Sequence, residues 1–314
     1  MNESNVRQFM SSEARKSNGA SVGIPARLMD FPLPEGRPKF PFFGGNPLAS
    51  SLFAVFSGIF PPGERFFVES VRRFRDQIED ETLKAEVSGF IGQEAIHGRE
   101  HEHLNEWFTA QGYDMAMPDR MIRFSLGLLE KLSPTQQIAC TNFMEHFTAH
   151  LAEQWLVHEE FRSSTDPEVI KLWTWHAIEE LEHKAVAFDV HAKVSKHAYL
   201  ERVLAAPLVL TALIPGVAFS LFWITARQGE ALNLREHRRG LKSLLGQGGF
   251  IRKVLERVPE YFDRSFHPEQ QETRLLEQQW RDRLFGENGE LNVHFRNRDA
   301  VKKSLGPRRD AAVH

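Results

Sequence analysis

Apolar positions recur at helical spacing along most of the chain, and no run of alternating apolar and polar residues marks a strand. The pattern predicts long helices over roughly residues 80–110, 134–162 and 166–195. A shorter apolar helix over residues 48–60 is expected to stop at Pro61–Pro62–Gly63, where another helix begins. The sequence therefore predicts an all-α protein whose first two-thirds form a four-helix bundle.

A different pattern follows the bundle. Residues 203–226 carry no charge, and a helix of that length can cross a bilayer. The stretch contains Pro207 and, near its middle, Pro215–Gly216. It is predicted to be a transmembrane helix, a hairpin that turns at Pro215–Gly216 and enters one face of a membrane, or a buried helical pair. The basic residues after it favour a cytosolic location. We therefore expect a cytoplasmic protein docked on the inner face of the membrane, or integral through this segment.

These patterns divide the chain into five regions. The arm, residues 1–46, is rich in Pro, Gly and Phe and is expected to be flexible. The four-helix bundle takes residues 47–198, and the apolar membrane-type segment takes residues 199–228. Short amphipathic C-terminal helices are expected over residues 229–290, followed by a polar tail over residues 291–314.

The composition restricts the chemistry that the bundle can hold. The single cysteine, Cys140, excludes an internal disulfide framework, a cysteine-rich zinc site and an iron–sulfur cluster. Any metal site must therefore use His, Asp and Glu, which suit Fe, Mn or Zn. The net charge of −3 gives no reason to expect a nucleic-acid partner. The chain contains no P-loop and no dinucleotide-binding glycine motif, so no organic cofactor is predicted.

Two stretches concentrate potential metal ligands on helix faces. In "FIGQEAIHGREHEHLN", Glu94, His97 and His101 lie within about 60° of one another on a helix. In "WHAIEELEHKAVAFDV", Glu180 and His183 repeat the Glu-x-x-His spacing on a different predicted helix. Two such pairs on two helices are the pattern that holds a dinuclear metal centre in a four-helix bundle.

The other two bundle helices each offer one carboxylate to such a centre. Glu64 and Glu145 are flanked by apolar residues and are expected to face inward, where an unpaired carboxylate is unfavourable. Glu64 could instead cap the start of its helix, and Glu153 could replace Glu145. His176 lies four residues before Glu180 on the same helix face and is a further candidate.

Three stretches together carry a resemblance to a known family. "PPGERFFVESVRRFRDQI" and the two stretches above resemble a bacterial family labelled "predicted metal-dependent hydrolase", over about residues 35–290. The ligand order also resembles the ferritin-like di-iron carboxylate proteins. The His-x-x-x-Glu-x-x-His order is similar to that of the di-iron N-oxygenases, which add one histidine to the usual two. The resemblance implies a ferritin-like bundle with the metal ligands Glu64, Glu94, His97, Glu145, His176, Glu180 and His183.

Nearby titratable residues fall outside this implied set. His101 shares the ligand face of its helix and is a possible eighth ligand, or a partner of one. Glu179 and Glu182 lack the Glu-x-x-His spacing, and we expect them to face solvent or to pair with basic neighbours.

The ligand set and the family label favour different reactions. Four carboxylates with two or three histidines in a buried bundle suit redox metals, so we expect two ions, Fe/Fe or Fe/Mn, and an O2-activating oxidase or oxygenase. Its substrate would be small and apolar or membrane-derived, and an external donor would supply electrons. The alternatives are a hydrolase that activates water with Zn, as the label says, and a non-catalytic metal-binding helical membrane protein. No catalytic side chain is predicted.

Overall fold

The computed structural model describes residues 19–35, 43–162 and 166–296, and the all-α prediction is confirmed over them. No strand occurs in these ranges, where the only β-type pairing is a single bridge between Met29 and Phe295. The helices of eight or more residues are α1 Pro47–Arg72, α2 Glu81–Ala110, α3 Ala116–Leu129, α4 Pro134–Val157, α5 Pro167–His183, α6 Val186–Val194, α7 Ala198–Arg227, α8 Leu234–Leu245, α9 Phe250–Arg257 and α10 Arg274–Phe285.

Helices α1, α2, α4 and α5 form the bundle. Helix α1 packs on α2, α2 on α5, α5 on α4, and α4 closes the ring against α1. Each begins at a residue whose side chain accepts a hydrogen bond from a backbone N–H of the first turn, which satisfies a donor that the helix leaves free. These capping residues are Asn46, Asp80, Ser133 and Asp166.

The predicted helix end at Pro61–Pro62–Gly63 is wrong, because α1 continues through both prolines. Pro61 has no N–H, so it cannot bond to the carbonyl of Ser57 four residues earlier. The side-chain amide of Asn105, on α2, donates to that carbonyl at 3.0 Å instead. A hydrogen bond from the neighbouring helix therefore replaces the one that the proline removes.

Other helix boundaries also differ from the expectation. The helix predicted over residues 166–195 is interrupted after His183, where buried Lys184 donates to Thr273 and to the carbonyl of Gln271. The helix predicted over residues 134–162 ends at Val157, and one separate turn follows. Helix α3 was not predicted. The short C-terminal helices α8, α9 and α10 were predicted from the sequence.

Helix α7 is one uninterrupted helix, so the predicted hairpin and the predicted helical pair are both wrong. Ser125 of α3 donates to the carbonyl of Ala212, close to the point where Pro215 disturbs the helical bonding. Gly216 allows close approach, since a Cβ there would lie 3.3 Å from the Cβ of Met121. Helix α7 packs on α1, α3 and α4. It is long and apolar enough to span a membrane, but only 22% of its most apolar window is buried.

The N-terminal arm is packed where the structure describes it. Ile24, Met29 and Phe31 are buried, and Arg27 is 7% exposed. Residues 19–35 are therefore packed against the rest of the protein, and the flexibility of the arm as a whole stays a prediction. Residues 43–46 of the arm are also described, and Phe43 is buried. Residues 1–18 and 36–42 of the arm, and all but the first six residues of the predicted polar tail, lie outside the described ranges.

Replacing Asn105 tests how α1 tolerates its prolines. Asn105→Ala leaves the carbonyl of Ser57 without a donor, and we expect it to lower the free energy of unfolding by about 1–3 kcal/mol. Urea unfolding followed by circular dichroism measures this. Glu106→Ala, at the exposed neighbouring position, is the control and should change stability by less than about 0.5 kcal/mol. Equal stabilities for the two variants would show that the bond from Asn105 does not support α1.

Candidate metal centre

The four bundle helices bring all seven predicted ligand residues into one buried cluster, and each is at most 5% exposed. Helix α1 contributes one carboxylate, α2 a Glu-x-x-His pair, α4 one carboxylate, and α5 the His-x-x-x-Glu-x-x-His set. The cluster is the seven residues Glu64, Glu94, His97, Glu145, His176, Glu180 and His183.

Potential ligand atoms of the cluster form three overlapping groups, each with all its atoms within 4.8 Å of one another. Glu94 belongs to two of these groups, and so does His97. Carboxylates and Glu-x-x-His pairs from four helices are the donor set that would hold two metal ions in a bundle of this kind. The groups are Glu64 with His97 and His176, Glu94 with His97 and Glu180, and Glu94 with Glu145 and His183.

Many polar atoms of the cluster have no hydrogen-bond partner within the protein. Both carboxylate oxygens of Glu64, Glu94 and Glu145 are buried and unpartnered, as are Nδ1 of His97 and Nε2 of His183. Glu94 lies 3.0 Å from Nε2 of His183 but without hydrogen-bond geometry. A buried carboxylate without a partner costs several kcal/mol, whereas a coordinated cation satisfies it. The donor set, of carboxylate oxygens and imidazole nitrogens, fits divalent Fe, Mn or Zn.

His97 is oriented from outside the cluster by Glu179. Nε2 of His97 lies 3.0 Å from a carboxylate oxygen of Glu179, whose other oxygen accepts from Arg27 at 2.8 Å. Nδ1 of His97 then faces Glu180 and Glu94, at 3.5 and 3.7 Å. A carboxylate on one ring nitrogen fixes the tautomer and leaves the other nitrogen free to bind metal.

His183 is oriented in a similar way by Gln93. Its Nδ1 donates to the amide oxygen of Gln93 at 2.9 Å, which leaves Nε2 facing the cluster. The amide nitrogen of Gln93 donates to Glu182, and Glu182 also accepts two bonds from Arg27. One arginine from the N-terminal arm therefore holds both outer carboxylates.

This outer layer of Glu179, Glu182, Gln93 and Arg27 was not predicted from the sequence. Glu179 and Glu182 are buried rather than solvent-facing, and their basic partner, Arg27, is more than 150 positions away in sequence. A local signal existed for two of the residues. Glu179 precedes His183 by four positions, and Gln93 precedes His97 by four, so each shares a helix face with a candidate ligand. Nothing local pointed to Arg27.

His101 lies behind His176 rather than in any of the three groups. Its Nε2 is 2.7 Å from Nδ1 of His176, and its Nδ1 is 3.0 Å from the hydroxyl of Ser57. Both ring nitrogens therefore have protein partners. Nε2 of His176 faces the cluster, at 3.0 Å from Glu180 and 3.7 Å from Glu64. The geometry favours His101 as a residue that orients His176 over His101 as an eighth ligand.

A comparison with protein families matches residues 25–272 to one family, described as predicted metal-dependent hydrolase. The match covers most of the chain and includes every residue of the cluster. The chain belongs to this family. No curated protein and no solved structure matches the chain. The family resemblance found in the sequence is thus confirmed, while the likeness to ferritin-like di-iron proteins stays a prediction. The family description supports a metal-dependent hydrolase, and the expected oxidoreductase activity finds no support in it.

In the absence of metal, the pKa values of carboxyl groups in the cluster are shifted in opposite directions. Burial raises the pKa of Glu64 and of Glu145 well above the usual range. Burial also raises the pKa of Glu180, but the charge of His183 and a hydrogen bond from His176 outweigh burial and hold that pKa well below its usual range.

The two histidines nearest these carboxylates hold protons in the absence of metal. Burial lowers the pKa of His97, but the carboxylates of Glu179 and Glu94 outweigh burial and raise it to about 10. His183 is raised for the same reason, chiefly by Glu180. Metal binding must displace these protons, as it does wherever ligands are protonated in the free site.

Replacing Glu179 tests the outer layer separately from the ligands. Glu179→Gln keeps the shape but removes the charge that orients His97, and we expect Zn²⁺ affinity to fall about 10- to 100-fold. Competition with a chromophoric chelator measures the affinity, and circular dichroism checks the fold. Glu102→Gln, exposed on α2, is the matched control. An affinity equal to that of the control would mean that Glu179 does not tune the site.

Proposed function

We propose that this chain is a two-metal hydrolase that cleaves a small apolar ester. The observation that carries the proposal is the cluster of buried carboxylate and imidazole atoms without protein partners, donated by four helices and adjoining an apolar cavity. The family description supports the same reaction class. Zn is the metal that this reading favours.

The cluster offers two neighbouring positions for the ions. One lies beside Glu64, His97 and His176, and the other lies beside Glu94, Glu145 and His183. The third group, of Glu94, His97 and Glu180, shares a residue with each of them. Two divalent ions held there would act as Lewis acids that polarise an ester carbonyl and lower the pKa of water.

Side chains around the cluster exclude bulk water from it. The ring of Phe60 packs edge-on against His176, with centroids 5.1 Å apart. Trp175 packs in the same way on His97, and Phe90 on His183, at 4.9 and 5.0 Å. Because these rings leave little water near the ligands, the electrostatic interactions in the site are stronger than in an open cleft.

The same burial supports a second candidate, an O2-activating oxidase or oxygenase with an Fe/Fe or Fe/Mn pair. A dry apolar shell around a carboxylate-rich centre protects oxidising chemistry from side reactions. Such an enzyme would need an external electron donor. A non-catalytic metal-binding protein is the remaining alternative, and it would load metals without turning over either kind of substrate.

Metal content and turnover distinguish these readings. We expect purified protein to bind two divalent ions per chain, and its Zn form to hydrolyse neutral aliphatic esters. Glu64→Gln should lower the rate at least about 100-fold and reduce the metal content. The control Glu69→Gln, on the exposed face of the same helix, should keep both.

Two results would move the assignment. An iron-loaded protein that consumes O2 with a reductant, beside a Zn form without esterase activity, would favour the oxidase. Two bound metals with neither activity would favour the non-catalytic reading.

We further propose that the protein works at the surface of an anionic membrane. Helix α7 exposes a row of large apolar side chains that includes Leu204, Leu208 and Phe222. Helix α8 carries both exposed leucines, such as Leu234 and Leu241, and exposed arginines, such as Arg235. Exposed apolar residues combined with basic ones are typical of helices that lie in a lipid interface. This reading places the protein on the cytoplasmic face without requiring a span.

Vesicle sedimentation tests the membrane proposal. We expect the protein to bind vesicles that contain anionic lipid, less strongly at high salt. The double variant Leu208→Asp with Phe222→Asp should bind at least about tenfold more weakly. Leu275→Asp replaces a leucine that is 76% exposed on α10, which packs on α5, and should bind like the parent. Equal binding by both variants would exclude α7 as the membrane contact.

A further inference from the structure

An apolar cavity of about 360 Å³ lies between α7 and the bundle. Helix α1 contributes Phe60 and Phe67 to its wall, α4 contributes Phe147, and α7 contributes Leu213 and Val217. The volume falls within the range of small-molecule binding sites in proteins. Well-packed protein interiors rarely leave a space this large empty, so we consider which ligand it could bind.

The larger cavity lies next to the candidate metal centre and borders Gly63, the neighbour of Glu64. A smaller cavity of about 40 Å³ touches His176 and Glu180 directly. The two spaces share Phe60 and Thr148 among their walls. These shared side chains lie between the two spaces, so a molecule in the larger cavity reaches the cluster only if they move aside.

The other end of the cavity opens towards the surface of α7. Leu210 and Ile214 border the cavity and are 38% and 55% exposed. They lie on the helix that we propose to contact lipid. A chain that leaves a bilayer would meet this opening without crossing water.

The wall restricts the chemistry of the occupant. Among the residues placed around the larger cavity, Thr148 alone carries a polar side-chain atom, and none is charged. A phosphate or ammonium headgroup would lose its hydration there without gaining a partner. A hydrocarbon chain would be well solvated by the aromatic and aliphatic walls.

We propose that the cavity binds a single aliphatic chain that carries a small uncharged ester, with the chain between α7 and the bundle and the ester at the cluster. The reaction assigned to the ester rests on the proposed function, but the binding of the chain does not. Hydrolysis would break the acyl C–O bond, add the hydroxyl of water to the acyl carbon, and return the proton to the departing alcohol oxygen. Water is the only co-reactant.

Gly63 provides a direct test because it lies at the metal end of the cavity, next to Glu64. A Cβ built on Gly63 meets no atom within 4 Å, so a larger side chain can extend into the cavity without a clash. Gly63→Leu also replaces a glycine inside a helix, which favours the helix. Gly127 on α3 is the matched control, since a Cβ there also meets nothing and Gly127 does not border the cavity.

The experiment uses 2-alkanones of about six to sixteen carbons, which resemble methyl esters but cannot be hydrolysed. Calorimetry with the metal-loaded full chain should show affinity that rises about fourfold per methylene and then levels off when the cavity is full. Gly63→Leu should weaken binding of the best ketone at least about tenfold and move the plateau to shorter chains. Gly127→Leu should match the parent.

Equal binding by the two glycine variants, or no saturable binding by the parent, would overturn the proposal. Ala218→Phe, on the α7 wall, repeats the test if Gly63→Leu does not fold. Hydrolysis of methyl esters by the Zn form is scored separately. Cavity-dependent ketone binding without hydrolysis would retain the chain site and reject the hydrolase. If Gly63→Leu leaves the rate of ester hydrolysis unchanged, the hydrolase is retained and the chain site is rejected.

Discussion

The bundle depends on how it compensates the burial of four carboxylates at its centre. Glu64, Glu94, Glu145 and Glu180 are each at most 5% exposed, and most of their oxygens have no protein partner. Without compensation such groups would oppose folding. The surrounding histidines provide part of the compensation, and two bound cations would provide the rest. Metal binding and folding are therefore expected to be coupled.

Much of the site could be predicted because its pattern is local. The Glu-x-x-His spacing places ligands on one face of α2 and of α5 whatever the tertiary structure. Glu64 and Glu145 followed from the need for one carboxylate per remaining helix. What sequence reasoning missed depends on contacts between distant segments. Arg27 reaches Glu179 and Glu182 from the N-terminal arm.

The wrong predictions about the helices also result from contacts between distant segments. A double proline locally predicts a helix end, but Asn105 replaces a hydrogen bond that the proline removes from α1. Pro215–Gly216 suggested a turn, but α7 continues through both residues. At this point α3 packs closely on Gly216, and Ser125 donates a hydrogen bond to the carbonyl of Ala212. The packed arm, the orienting residues and the apolar cavity thus all arise from tertiary contacts.

The central claim is that the seven cluster residues hold two metal ions. To test it, the protein is purified without oxygen and its metals are identified by elemental analysis. Anomalous diffraction from its crystals is then recorded at the absorption edge of each metal found. The account predicts two anomalous peaks about 3.5–4 Å apart, within bonding distance of the cluster residues. Crystals of loaded, folded protein without a peak among these residues would contradict it, and the cluster would then be a polar core that folds without metal.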